Sequence, residues 1–360
     1  MGSQDVYLLD DHKLYWHLDR VLADRRGELI APIYVEISPT DRCNHNCIFC
    51  GLDFVRGGGH NLDTATLLER IGEMGRLGVR SVNFSGEGEP LLHPDAPALI
   101  AACAQAGMDV ALATNGSRGD AAAWEIMLRH LTWVRFSLDA GSPEVHAQVH
   151  RGGADGFRRA VDTVRQAVAL KKSLGSATTI GVQYVLLEQN LDDLKQAIRL
   201  FQDIGCDYCS IKPFSFHPQM RGGLARPVPA TALEAVAALV AALQPRSPMR
   251  LIFRQAAFHT AATSGKSFSS CRALPYWAHL QATGDLYACP TFLGDPRFCL
   301  GNITTQTMDA LFFGPRRREA LCLGRTALDI EGECRLNCRM ARINEFLEML
   351  DTPPQHINFI

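Results

Sequence analysis

No segment of this 360-residue chain is apolar for long enough to cross a bilayer. The longest such stretch, around Leu233 to Leu243, falls well short of the about 20 residues a spanning helix needs. Charge of one sign is also lacking. Lys plus Arg number 36 against 38 Asp plus Glu, a balance that argues against bulk binding to nucleic acid or to an anionic membrane surface. The opening Met-Gly-Ser-Gln-Asp has neither the basic nor the apolar region of a secretory signal. In a chain without export signals, twelve cysteines read as metal ligands or reactive thiols rather than as a disulfide framework. A cytoplasmic location is therefore expected.

What is there is concentrated. Cys43-Asn44-His45-Asn46-Cys47-Ile48-Phe49-Cys50 follows the apolar run Ile33 to Ile37 and spaces three cysteines as C-x3-C-x2-C. One loop of that kind wraps three thiolates around a compact inorganic cluster. A 4Fe–4S cluster normally takes four thiolates, so three leave one iron able to bind something else, as an open position does in catalytic metal sites. A structural zinc site would show C-x2-C pairs with two further ligands nearby, and none follow here.

Hydrophobic content of 47% and charged content of 21% are those of an ordinary globular protein with a sizeable core. The length fits two domains, or one large barrel with an appendage. From Ile33 short β-rich runs alternate with helical patterns. Strands are expected at 33–38, 79–84, 109–114, 133–138, 179–186 and 207–212, with helices near 63–77, 95–107, 120–131, 156–174 and 191–204. Each helix begins near an Asp, Thr or Gly, and several end at glycine, as capping predicts. Such βα repeats argue for parallel strands with right-handed crossovers. Residues 1–32 read as an N-terminal extension with a short helix around Leu14 to Leu22. Residues 219–268 read as a linker with one helix, opened by a Thr231/Glu234 capping box.

The cysteine octet, with Phe49 just before its last cysteine, resembles the signature of the radical S-adenosylmethionine (SAM) superfamily. The resemblance implies an α/β fold: a partial (β/α)6 TIM-like barrel over 33–218 with its active groups at the C-terminal ends of the strands. It implies a 4Fe–4S cluster on Cys43, Cys47 and Cys50 whose free iron chelates SAM, and an external electron donor of the flavodoxin or ferredoxin type. Reductive cleavage of SAM then gives a 5′-deoxyadenosyl radical that abstracts hydrogen from substrate. Ser85-Gly86-Glu87-Gly88-Glu89-Pro90 resembles the turn that grips the SAM amino group, so Gly88 and Glu89 are expected contacts, and its glycines would let a ligand approach the backbone closely. Phe49, Asn115, Ser137 and Arg151 complete the expected cofactor set. His150-Arg151 is expected in a loop, from which Arg151 would pair with the SAM carboxylate.

A second cysteine set lies downstream: Cys271, Gly284, Cys289, then Cys334 and Cys338. Four thiolates close a 4Fe–4S cluster with no open site, and also suit zinc. The spacing resembles the shortened SPASM, or twitch, extension of radical SAM enzymes, and lacks the extra C-x2-C pair of the full form. One auxiliary cluster is expected, in a domain over 269–345 followed by an apolar tail, 346–360.

Lys212, Ser215 and His217, clustered after the sixth strand, suit contacts to hydroxyl-bearing groups. A free cysteine near substrate would suit radical epimerisation as hydrogen donor, and Cys299 and Cys209 are the candidates. The leading expectation is epimerisation, or oxidation of a secondary alcohol, on a carbohydrate or glycoside. A peptide-modifying radical SAM enzyme, by thioether formation or residue epimerisation, is the alternative, placed second because no N-terminal peptide-binding module is evident. A non-catalytic iron–sulfur electron carrier is the reading from another class.

Overall fold

The structure is a computed structural model, and it describes residues 6–223, 225–262 and 265–358. Six βα steps follow a short N-terminal helix α1 (Leu18–Arg25). They run β1 (Tyr34–Ile37), α2 (Thr64–Arg76), β2 (Ser81–Phe84), α3 (Ala96–Gln105), β3 (Asp109–Thr114), α4 (Ala121–Leu128) and β4 (Trp133–Ser137). Two helices come next, α5 (Pro143–His150) and α6 (Gly156–Leu174), then β5 (Thr179–Leu186), α7 (Leu194–Ile204) and β6 (Tyr208–Pro213). All six strands are parallel and pair in chain order.

Local chemistry sets these boundaries. Asp63 and Asp120 accept the backbone N–H of Thr66 and Ala123 and so open α2 and α4. Gly175 and Gly205 close α6 and α7 at φ +60° and +89°, a conformation that a Cβ disfavours. Along each strand the side chains alternate. Val35, Ile37, Val82, Phe84, Val134 and Phe136 point to the helices and are buried in the main core. The opposite face, inside the barrel, is polar. There Ser85 donates to Glu36 (2.6 Å), and Asn83 donates to Ser85 and to the Tyr34 hydroxyl (both 3.1 Å).

The structure departs from the sequence reading in four places. The stretch after β4 contains α5, opened by Pro143 and capped by Ser142, so His150 is helical rather than in a loop. Residues 219–268 are more than a linker. After α8 (Ala230–Leu243) comes β7 (Arg250–Phe253), which pairs parallel to β6 and is followed by α9 (Gln255–Ala262). It satisfies an edge that β6 would otherwise expose, and four residues carry too little periodicity to announce it. The Thr231/Glu234 capping box is not formed: α8 starts earlier, after Pro229, whose fixed φ suits a helix start. The cysteine-rich C-terminal region also joins the same sheet. Its β8 (Trp277–Leu280) lies parallel to β1, and β9 (Asp285–Tyr287) and β10 (Cys299–Asn302) continue antiparallel.

The described residues thus form one open sheet in the order β10-β9-β8-β1-β2-β3-β4-β5-β6-β7. Helices α10 (Met308–Phe313), α11 (Pro315–Thr326) and α12 (Ala341–Asp351) complete the chain. A small second core joins the N-terminal extension to α12 through Leu14, Val21, Tyr276, Phe346 and Leu347. Of the tail, residues 353–358 are exposed, while Phe359 and Ile360 lie outside the described residues. No helix among the described residues is long and apolar enough to cross a membrane.

Phe201 carries the packing of α7 on the sheet and is fully buried. Phe201→Ala should cost about 3–5 kcal/mol, read from the denaturant midpoint of the unfolding transition.

Candidate active site

The loop bearing Cys43, Cys47 and Cys50 leaves the C-terminal end of β1 and is hung on the end of α5. Asn46 and Ile48 donate backbone N–H to the carbonyls of His150 and Val149 (both 3.0 Å). His150, itself buried, places Nδ1 at 3.2 Å from Cys47 Sγ and Nε2 at 3.1 Å from the backbone N of Asp139. His45 and His146 complete a cluster of imidazoles behind the loop, with His146 stacked on His150 at 4.6 Å. Burial and then the neighbouring Cys50 and Cys43 thiols push Cys47 well up, and burial pushes Cys50 up. Cys43 and Cys50 lie close enough to act on Cys47, so the three sulfurs converge as the donor set of a metal cluster requires.

The turn after β2 packs on that loop. A Cβ at Gly88 would overlap the carbonyl oxygens of Thr40 and Arg42, and one at Gly86 would overlap the Ser38 hydroxyl. On those faces Gly88 answers to protein backbone and Gly86 to the Ser38 side chain. Glu89 is buried, and its carboxylate accepts from the Thr114 hydroxyl (2.6 Å), the Asn115 N–H (2.7 Å) and the Leu91 N–H (3.1 Å). The Asn115 amide in turn donates to Asn44 inside the octet (2.9 Å). Glu89 and Asn115 thus tie the ends of β2 and β3 to the cysteine loop. Ser137 ends β4 half-buried, and Phe49 meets His150 edge-on at 5.6 Å. Arg151 follows α5 in the left-handed region at φ +52° and is exposed.

The second cysteine set converges. Cys271, Cys289, Cys334 and Cys338 act electrostatically on one another, with Cys338 common to all. Backbone N–H groups point at the sulfurs, Thr291 at Cys289 (3.5 Å) and Met340 at Cys338 (3.4 Å), and the Asn344 amide faces Cys271 (3.9 Å). The hydrogen bond from Cys334 lowers Cys338, and Arg335 and Lys266 add to the effect. Four thiols with N–H···S donors and two nearby cations suit a closed, anionic 4Fe–4S cluster.

Inside the barrel lies a cavity of 260 Å³, walled by Glu36, Arg135, Gln183, Lys212, Ser215, Arg335, Cys338 and Arg339 among others. Of the cysteines, Cys338 of the second set lines it. Arg339 pairs with Glu36 and lies over Trp277 at 4.8 Å. Burial would raise Glu36, but Arg339, His279 and the Ser85 hydroxyl bring it down to about 2. Burial, then Arg135, Arg254 and Arg339, push the Lys212 ammonium down to about 7.

Not every expected residue reaches this cavity. Lys212 and Ser215 line it. His217 does not: it is buried, stacks on Phe54 at 4.5 Å, and spends both ring nitrogens on the Thr291 carbonyl and the Gln219 N–H. Cys209 alternates to the outer face of β6 and is fully buried in the main core. Cys299 opposes Tyr287 in the β10–β9 pair, at the far edge of the sheet. Neither thiol faces the cavity, because strand alternation and sheet order carry both away from it. The sequence reading missed the His45–His146–His150 cluster and Arg339. His45 lies within the octet and Arg339 directly follows Cys338, so position beside a ligand was the available signal.

Residues 37–201 match the family profile of the Radical SAM superfamily. The chain carries a radical SAM domain. Its cofactors are SAM and a 4Fe–4S cluster, and its many cysteines are consistent with an auxiliary cluster. A GTP 3′,8-cyclase from Chlorobaculum tepidum is 29% identical over 208 residues, covering 56% of this chain and 60% of that protein. One from Syntrophomonas wolfei is 36% identical over 129 residues, 33% of this chain and 38% of that protein. The chain thus spans less than two thirds of these curated relatives. Among solved structures, Streptococcus suis SuiB bound to S-adenosylmethionine superposes with a TM-score of 0.66 at 18% identity, over 94% of this chain and 79% of that one. The anSMEcpe structure with bound AdoMet gives 0.60 at 18% identity, over 87% and 88%. These likenesses concern the fold.

Two outcomes check the site. Anaerobically reconstituted protein should hold about eight irons per chain and the Cys334→Ala/Cys338→Ala double variant about four, by iron and sulfide analysis. An unfolded lysine keeps its proton to about pH 10.4, whereas folded Lys212 releases it near about 7. The cost of a charged Lys212 is then full below that folded value and fades as pH rises towards the unfolded one. Lys212→Met should raise the melting temperature at a pH of about 6.5 and progressively less towards about 9.5.

Proposed function

We propose that the chain abstracts a hydrogen atom from a carbon of a polar substrate held in the barrel cavity, and that the outcome is oxidation of a secondary alcohol rather than epimerisation. A carbohydrate or glycoside is the substrate class this reading favours. One observation carries it: Cys338 of the second cysteine set lines the same cavity as Lys212 and Ser215. When bound, the reduced first cluster with SAM supplies a 5′-deoxyadenosyl radical, and the auxiliary cluster supplies an acceptor for the electron left on the substrate. The residues of the chain do the positioning. Glu36 and Gln183 offer acceptors and Ser215 a hydroxyl, while the Arg339–Glu36 pair fixes one wall. Orientation of one C–H bond towards the strand ends is the contribution asked of them.

Epimerisation loses ground because neither Cys209 nor Cys299 faces the cavity to return a hydrogen atom. An electron carrier would need no such polar chamber. A second reading, radical chemistry on a purine nucleotide, is supported by the GTP 3′,8-cyclase names of the curated relatives and by the basic side chains of the cavity.

The test is to incubate reduced, reconstituted protein with SAM and a panel of glycosides and nucleotides in deuterated water. Formation of 5′-deoxyadenosine in step with a ketone product that carries no solvent deuterium is expected. Deuterium at the attacked carbon would restore epimerisation, and absence of 5′-deoxyadenosine with every compound would remove the enzyme reading.

A further inference from the structure

The charges of the cavity do not cancel locally. Of the basic groups on its wall, Arg339 is paired with Glu36, Arg254 with Asp10 (3.6 Å), and Arg342 with Glu345 (2.7 Å). Arg335 donates to Thr291 (2.9 Å) and faces the Cys289 and Cys338 sulfurs. Two cations remain, Arg135 on β4 and Lys212 on β6, each half-buried and turned to the same interior. Lys212 has no hydrogen-bond or ion-pair partner among the described residues. Arg135 has only the ring of Trp133, at 5.5 Å, and its Nε is buried with no acceptor. On β5, the strand between them, Gln183 lines the same wall.

Two unpaired cations held together in a half-enclosed space repel each other and lose hydration, a cost that a bound anion removes. A guanidinium, an ammonium and an amide N–H₂ together offer the directed donors that an oxyanion accepts. We infer that Arg135, Lys212 and Gln183 form a seat for an oxyanion group, a carboxylate or a phosphate, of the substrate, so that the compound turned over is an acid or a phosphate ester rather than a neutral sugar. The inference rests on the reading of this cavity as the substrate site. The depressed Lys212 ammonium agrees with it, since burial and the surrounding arginines are its causes. An anion in the seat would restore the proton and lower the nucleophilicity of the amine.

That change is measurable without turnover. Cluster-loaded protein, free of SAM, is treated with an amine-acylating reagent, and Lys212 acylation is quantified by peptide mapping. Sodium phosphate, sodium acetate and sodium chloride are compared at equal ionic strength. Phosphate or acetate at about four times its Kd should lower Lys212 acylation about five-fold, while chloride leaves it unchanged. The anion that protects at the lower concentration identifies the group as phosphate or carboxylate. Arg135→Met should abolish protection while Lys212 remains acylated in chloride. Equal acylation in all three salts overturns the inference, as does full protection in Arg135→Met or protection by added SAM alone. Because the assay uses no reductant, its result is independent of whether 5′-deoxyadenosine forms.

Discussion

A single ion pair, Arg339 on the buried Glu36, joins the strand that launches the first cysteine loop to the second cysteine-bearing region. Glu36 belongs to β1, one residue before the end of the strand that launches the first cysteine loop. Arg339 directly follows Cys338. The Ser85 hydroxyl takes the second oxygen of Glu36, and Trp277 and Tyr34 flank the guanidinium at 4.8 and 5.6 Å. Removing the Arg339 guanidinium would leave the buried Glu36 carboxylate uncompensated, which costs more than the pair contributes as a unit. The pair is therefore better understood as a registration device than as a source of net stability. It fixes how far the second cysteine loop reaches across the interior.

The barrel interior is a polar face built on strands whose other face is the core. That division follows from strand alternation alone. Val35 and Ile37 pack against helices while Glu36 turns inward; Val134 and Phe136 pack while Arg135 turns inward. Lys212 and Cys209 illustrate the same rule, for their odd separation on β6 sends them to opposite faces. Both are functional candidates by residue type, and parity along the strand separates them.

Much of the fold was legible because each βα unit carries its own punctuation. β3 and β5 fall where the apolar runs place them, and Gly175 and Gly205 stop their helices as read. β7 was not legible: Arg250–Phe253 owes its strand state to an unpaired neighbour, which is tertiary information. The extent of the sheet was hidden for the same reason, since β8 pairs with a strand more than 200 residues away in sequence. At the site, the cysteines declared themselves by spacing. His217 misled because a histidine among polar residues looks like a contact until both ring nitrogens are found occupied. Arg135 carried no sequence signal, because a lone arginine in a strand discloses neither its direction nor its lack of a partner.

The sheet never closes on itself, since β7 and β10 are its two free ends. The segment carrying Cys334, Cys338 and Arg339 instead supplies part of the wall of the chamber. On the proposed cluster assignment, assembly of the auxiliary iron–sulfur centre and completion of the chamber would be one event. A chain starved of iron would lose grip on its substrate as well as a redox group, which links readiness to bind to the metal supply of the cell.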